Sequence, residues 1–209
     1  MNEPNSQLEA DAVAVAPSVV TDAAAAPSGF DGTAVLREIV ETVALFAVIF
    51  TIARVTIGNY AIIGRSMEPN YHEAERLLVD RISPRLSWLQ RGDVVIVRSP
   101  VDDGIELIKR LIGVPGDRID LRDGRVLVNG MMLDEPYLPP GADSGPRGPT
   151  SSWTLGNDQY FIMGDNRSFS QDSRMIGPVK SALIIGRALV VYWPFENRGF
   201  VQHHDYGLK

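Results

Sequence analysis

Between Ile39 and Ile57 nineteen consecutive positions carry only two charges, Glu41 and Arg54, and no other stretch of the 209-residue chain restricts the fold as strongly. The uncharged residues between those two charges make about 18 Å of helix, short of a hydrocarbon core of about 30 Å. If Arg54 snorkels toward one interface and Glu41 lies near the other, the run reaches about 28 Å, and one tilted membrane span follows. A buried or interfacial helix is the alternative. A cleaved leader fits less well, because residues 1–34 hold five acidic and no basic residues, the reverse of a positive n-region, and no small-x-small site follows the run. Those residues, rich in Ala, Pro, Ser and Asp, read as a disordered tail. Arg37 flanks the run on one side and Arg54 and Arg65 on the other, so charge gives no vote on orientation.

Beyond about residue 58 the apolar period shortens from helical to strand-like, with turn residues between short runs. LLVD, DVVIVRS, IELIKRLIGV, RIDLRDGRVLVNG, YFIMG and ALIIGRALVVYW read as strands. Asp123-Gly124 between IDL and RVLV signals a hairpin, since both central positions of a type I′ turn take positive φ. The Gly/Pro/Ser-rich segment 139–158 reads as a surface excursion between two halves of a β domain. The fold class is therefore mostly β, a single N-terminal transmembrane helix preceding antiparallel sheets. The expected divisions are a tail over 1–34, an anchor over 35–58, a β domain over 59–198 and a C-terminal tail over 199–209.

The chemistry-bearing residues lie in that β portion. Ser66-Met67-Glu68-Pro69 offers a serine, whose hydroxyl is a weak nucleophile without a base. The three histidines are His72 near that serine and His203 and His204 near the C-terminus, so a Ser/His/Asp arrangement has few candidates. Lysine is the base to test. The chain has 17 Arg and three Lys, and Lys109 sits inside an apolar run. At the strand period Ile105, Leu107, Lys109 and Leu111 share one face, and Glu106, Ile108, Arg110 and Ile112 the other. Burial disfavours an ammonium and lowers its pKa, whereas a guanidinium stays charged. Bringing a lysine from about 10.4 to about 7.5 costs roughly 4 kcal/mol, within what desolvation supplies. A snorkelling strand lysine is the alternative.

GRSMEPN, RGDVVIV at 91–97, KRLIGVPGD at 109–117, VNGMMLDEPYL at 128–138, GDNRSFSQDSR at 164–174 and the closing IGRALVVYWPF resemble, in order and spacing, the blocks of the type I signal peptidases, membrane-anchored Ser/Lys endopeptidases. The apolar run resembles their anchor. The resemblance implies a signal-peptidase-type catalytic domain in which Ser66 is the acylating nucleophile and Lys109 the general base. It implies that Ser170 orients Lys109, that Asp172 and Arg174 pair to brace their segment, and that Gly164, Asp165, Asn166 and Arg167 shape the turn holding it. Met67 and Pro69 shape the nucleophile loop. The expected substrates are exported preproteins with small side chains one and three residues before the cut. The domain is expected on the extracytoplasmic side of the cell membrane, with the lipid bilayer as a partner. Trp88 and Leu89 are expected to dip into that bilayer.

Two positions depart from the family pattern. Asn70 stands where threonine often follows the proline. Gly64 stands where some members carry a serine that helps bind the oxyanion, which leaves the Ser66 N–H as the first donor and the second open. Losing such a donor costs about 2.7 to 4 kcal/mol of transition-state stabilisation.

Composition narrows the remaining classes. Without cysteine there are no disulfides, thiolate metal sites or thiol chemistry. No cofactor or metal is expected. The net charge of −6 resides mainly in the tail, and nothing in it favours nucleic acid. A self-cleaving Ser/Lys repressor would need a DNA-binding segment, and an inactive membrane-tethered binding protein would have no reason to retain both Ser66 and Lys109. Penicillin-binding chemistry needs lysine three residues after serine, where Pro69 stands.

Overall fold

The structure is a computed structural model that describes residues 32–86 and 88–208, so the inferred acidic tail lies, up to residue 31, outside the described residues. The chain divides into two units between Ala44 and Leu45, inside helix α1, Gly32–Thr56. The described part of the first unit is the start of that helix, where Arg37 Nε donates to Glu41 Oε1 at 2.7 Å one turn on. None of the 25 residues of α1 is buried, and with an 18-residue stretch of mean hydropathy 1.9 it is long and apolar enough to cross a membrane. At about 1.5 Å per residue it exceeds the roughly 30 Å of a hydrocarbon core. Thr51 Oγ1 donates to the Ala47 carbonyl at 2.7 Å, satisfying the hydroxyl within the helix. The helix ends two residues before the boundary expected from sequence, because Ile57 already pairs with Asp80 in a sheet.

The second unit continues from Leu45 into two antiparallel sheets. In chain order the strands are β1 (Ile57–Ala61), β2 (Arg76–Asp80), β3 (Val94–Arg98), β4 (Glu106–Gly113), β5 (Arg118–Arg122), β6 (Arg125–Val128), β7 (Met131–Met132), β8 (Ser152–Thr154), β9 (Gln159–Met163), β10 (Val179–Lys180), β11 (Ile184–Trp193) and β12 (Gly199–Phe200), with a single helical turn α2 (Ser173–Ile176) after β9. The larger sheet runs β1-β2-β11-β3-β4-β9-β10 with β12 on β11, and the smaller runs β7-β6-β5-β8. Every run read as a strand from sequence is one. The strands that sequence did not signal, β1, β7, β8, β10 and β12, are five residues or fewer, and pairing partners rather than their own alternation define them.

Asp123 and Gly124 take φ of 49° and 72°, as the hairpin reading requires, and Asn129 and Gly130 do the same at 53° and 82° between β6 and β7. Strand β3 shows why a continuous apolar run reads as doubly covered. Val94 and Ile96 enter one core cluster with Met67, Leu77 and Ile108, while Val95 and Val97 enter another with Leu111 and Ile162. Leu89 belongs to that second cluster at 7% exposure, which corrects its assignment to the bilayer; Trp88 beside it is 61% exposed. Segment 139–158 also differs from a free excursion, since Ser152–Thr154 pairs with β5 and Trp153 packs 4.8 Å from Phe161.

Candidate active site

Strand β4 is buried on both faces from Ile108 onward, so Lys109 and Arg110, pointing opposite ways, are each 2% exposed. Lys109 turns toward the loop after β1. That loop is closed by Asn70 N and Tyr71 N donating to the Met67 carbonyl at 3.1 and 3.0 Å, and pinned by the fully buried Met67 side chain. Pro69, exposed beside it, follows a cis peptide bond. Ser66 is thereby held with its Oγ 2.8 Å from Lys109 Nζ, and Nζ also donates to the Ile108 carbonyl at 2.8 Å. Burial lowers the Lys109 pKa from 10.5 to about 8, against the opposing charges of Asp172 and Asp165. A lysine so placed is neutral in about a tenth of molecules at pH 7, far more than a solvated lysine, and can accept the serine proton across the same short contact. No histidine hydrogen-bonds Ser66 among the described residues: His203 Nδ1 meets Asp93 Oδ1 at 3.0 Å and His204 Nε2 the Asp134 carbonyl at 3.1 Å.

Residues 164–174 close over the pair from β9. Asn166 grips the nucleophile turn twice, its N–H on the Ser66 carbonyl at 2.9 Å and Nδ2 on the Arg65 carbonyl at 3.0 Å. Gly164 has no room for a side chain, since a Cβ would strike the Ser170 side chain and come 2.5 Å from the Ser66 carbonyl. Asp172, fully buried, caps α2 and receives Arg174 Nε and Nη2, each at 2.9 Å, and the Gly164 N–H at 3.1 Å. Burial would raise its carboxyl, but Arg174 above all, with the Gly164 N–H, holds it below the ordinary carboxylate range. This pair is not an exposed surface contact. Arg167 fills the same interior, donating to the Gly164 carbonyl at 3.1 Å, to both Glu135 oxygens at 2.6 and 3.1 Å, and to the Ser144 hydroxyl.

Ser170 differs from its expected contact. Its Oγ is buried without a hydrogen-bond partner of good geometry, and the donors of Lys109 are directed instead to Ser66 and the Ile108 carbonyl. Gly64 has φ +84 with open space where a Cβ would stand, so backbone conformation rather than crowding favours glycine there. The Ser66 N–H makes no hydrogen bond among the described residues.

The opposite face of β4 carries residues that sequence reading passed over. Arg110 Nε and Nη2 meet the two Asp165 oxygens at 2.9 and 2.7 Å, and Tyr137 lies under the guanidinium at 4.1 Å. Burial would lower the Arg110 pKa, but the Asp165 hydrogen bonds and charge outweigh it and raise it. Asn70, noted only as a departure, ties this pair to the nucleophile turn: its Nδ2 donates to Asp165 Oδ2 and the Tyr137 carbonyl, both at 2.9 Å. An arginine inside the run LIKRLIG was the available signal, because a buried guanidinium needs a buried carboxylate.

A cleft of about 400 Å³ is lined by Ile62, Ile63, Leu77, Ile96, Leu107 and Ile108, and reaches the β4 residue before Lys109 without being lined by Ser66 or Lys109. Its Ile108 carbonyl is the one that Lys109 holds. A cavity of about 620 Å³ lies on the Arg110 side, against Tyr137, Gln202 and His203, and is lined by neither Ser66 nor Lys109. Among the described residues no group of three or more His, Asp or Glu side chains is placed to hold a metal ion.

The family described as signal peptidase, peptidase S26, matches residues 36–193. A signal peptidase IB of Staphylococcus aureus strain Mu50 is 30% identical over 175 residues, 77% of this chain and 91% of its own. A probable signal peptidase I-2 of Synechocystis is 39% identical over 144 residues, 65% of this chain and 63% of that protein. A crystal structure of a signal peptidase I from Enterococcus faecalis V583 is 32% identical, covers 47% of this chain and 95% of its own, and has a TM-score of 0.39.

Proposed function

The chain belongs to the signal peptidase family, peptidase S26, whose members are serine endopeptidases that remove signal peptides, and from that premise we propose that it cleaves exported preproteins with a Ser66/Lys109 dyad. The observation that carries this reading is the 2.8 Å contact between Ser66 Oγ and a Lys109 that is 2% exposed. Neutral Lys109 takes the hydroxyl proton as Ser66 Oγ attacks the scissile carbonyl, giving a tetrahedral oxyanion. The Ser66 N–H faces that developing charge. Protonated Lys109 then gives its proton to the leaving amine, an ester to Ser66 remains, and the same lysine draws a proton from water for deacylation.

Asn166 and the Arg110–Asp165 pair hold the serine turn, and Asp172–Arg174 holds the segment that closes over Lys109. The apolar cleft is suited to an extended peptide with small side chains at alternate positions, paired along the free edge of β1. Helix α1, uncharged between Glu41 and Arg54 and without a buried residue, is the membrane anchor in this reading, with the β domain on the extracytoplasmic side.

The test is cleavage in detergent of a purified preprotein bearing Ala-x-Ala before its junction. Wild type cuts at that junction, while Ser66→Ala and Lys109→Met leave the substrate intact. Cleavage by either variant at more than about a hundredth of the wild-type rate removes that residue from the dyad, since loss of an acid–base group is worth about 10²–10⁴-fold.

A further inference from the structure

The segment Gln202–Leu208 follows the stretch matched by the family, which ends at residue 193, yet hydrogen bonds and core contacts tie it to the β strands. Gln202 N–H donates to the Tyr71 hydroxyl at 3.1 Å, and its carbonyl accepts from Arg110 Nη1 at 3.2 Å. The Tyr206 hydroxyl lies 2.7 Å from that of Tyr137, whose ring supports the same guanidinium. Tyr206 and Leu208 pack on the core cluster of the smaller sheet, and Arg91 Nη1 reaches the Leu208 carbonyl at 3.5 Å. Gly92 shows how close the approach is. With φ +92 it sits where a Cβ would overlap the His204 carbonyl, and its own carbonyl accepts from Arg110 at 3.0 Å.

We propose that Gln202–Leu208 is a positioning strap for the catalytic centre: it fixes Arg110, which fixes Asp165, and through Asp165 and the adjacent Asn166 it holds the turn that presents Ser66. The central link, between Arg110 and Asp165, is wholly buried, and the links on either side of it are half-buried or exposed. Arg110 is 2% exposed with the strap in place and lines the cavity of about 620 Å³ beside Gln202, so removing the strap exchanges a fixed carbonyl acceptor for mobile water. If the strap leaves, Arg110 loses the Gln202 carbonyl, the Tyr137 ring beneath it loses its Tyr206 partner, and the pairing with Asp165 loosens. Asn70 and Asn166, which connect that carboxylate and its neighbour to the serine turn, then shift with it. The strap's aromatic and apolar anchors lie on the smaller sheet's cluster, whereas the cleft residues Ile62, Ile96 and Ile108 lie in another. Loss of the strap therefore lowers turnover more than substrate affinity.

The proposal rests on the dyad reading above, and two readouts separate the two. Full-length enzyme and a variant lacking residues 202–209 are assayed on a preprotein at 25 °C, with thermal melts establishing that the shortened enzyme is folded there. Expected are a kcat lower by at least tenfold, a KM within twofold, and amide exchange at Asn166 at least tenfold faster. A folded enzyme with kcat within twofold of wild type, a loss confined to KM, or unchanged exchange at Asn166 overturns the strap. If the deletion does not fold, Tyr206→Phe keeps the ring in the core and removes only the hydroxyl. It then lowers kcat about threefold with an unchanged melt, and wild-type turnover would reject the link. Should Ser66→Ala still cleave, the dyad is wrong, while exchange at Asn166 still decides whether the strap holds the turn.

Discussion

Lys109 is placed at the expense of stability. Its folded pKa of about 8 lies below the ordinary 10.5, so between those values the unfolded chain binds more protons and stability rises with pH. Below about pH 8 the deficit is complete, of order 3 kcal/mol. Lys109→Met should therefore abolish cleavage and raise stability at pH 6–7, with a gain that shrinks as pH rises from 8 to 10.5; urea denaturation at those pH values reads it. A destabilised Lys109→Met at pH 6 would mean that the contacts to Ser66 and Ile108 outweigh burial. For the same reason kcat/KM should fall about tenfold per unit as pH drops below the Lys109 pKa. Arg110 poses the opposite case, a buried charge already matched. Arg110→Met strands Asp165 and should cost about 3–5 kcal/mol by urea denaturation, against less than 1 if the pair were solvated. Lys109 was legible because it is one of three lysines and stands among apolar residues. Arg110 was not, because a chain with 17 arginines suggested a guanidinium-covered surface, and only the tertiary fold reveals which ones meet buried carboxylates.

At the scale of elements, the long runs declared themselves and the short ones did not. The β3 and β4 runs are mostly apolar and buried on both faces, and span five and eight residues, enough to specify a strand without partners. β8, three residues within a Gly/Pro-rich segment, exists because β5 offers an edge. That segment also braces the residues after β9: Ser144 receives Arg167, which Glu135 just before the segment also receives, and Arg147 Nη2 donates to the Ser168 carbonyl at 2.8 Å. The lipid-facing expectation for Trp88 and Leu89 needs similar revision. Arg81 N–H donates to the Thr56 carbonyl at 2.9 Å, so the loop after β2 starts at the end of α1, and Ile82, Leu86 and Trp88 are its exposed apolar residues. Replacing those three with Ser should reduce co-sedimentation of residues 57–209 with anionic vesicles severalfold without lowering the thermal midpoint. Leu89→Ser should lower the midpoint instead, because Leu89 is core. Equal partitioning of the triple variant and wild type would exclude this loop as the lipid contact.

At the scale of the molecule, the site gathers segments far apart in sequence: the turn at Ser66, β4 at Lys109, the residues after β9 and the C-terminal strap. The ordered blocks in the sequence named the first three, since each carries a residue whose chemistry has few substitutes. The strap holds Arg110 through a backbone carbonyl and meets the Tyr137 hydroxyl through a single tyrosine, which leave no such mark. Every one of these contacts lies within residues 57–208, and α1 contributes no buried side chain. Removing residues 1–56 deletes the Arg81–Thr56 hydrogen bond, worth about 1 kcal/mol. The detached domain should accordingly melt within a few degrees of the intact chain and cleave a short soluble peptide with kcat/KM within about threefold, since a change of 1 kcal/mol in a domain this size moves the midpoint by about 2–4 °C. On a preprotein embedded in vesicles it should fall behind the intact chain by tenfold or more, because confinement to one membrane raises the effective concentration of enzyme and substrate. A detached domain that lost activity on the soluble peptide would show that α1 shapes the site; one that kept full activity in vesicles would show that the loop after β2 suffices to hold it at the lipid surface.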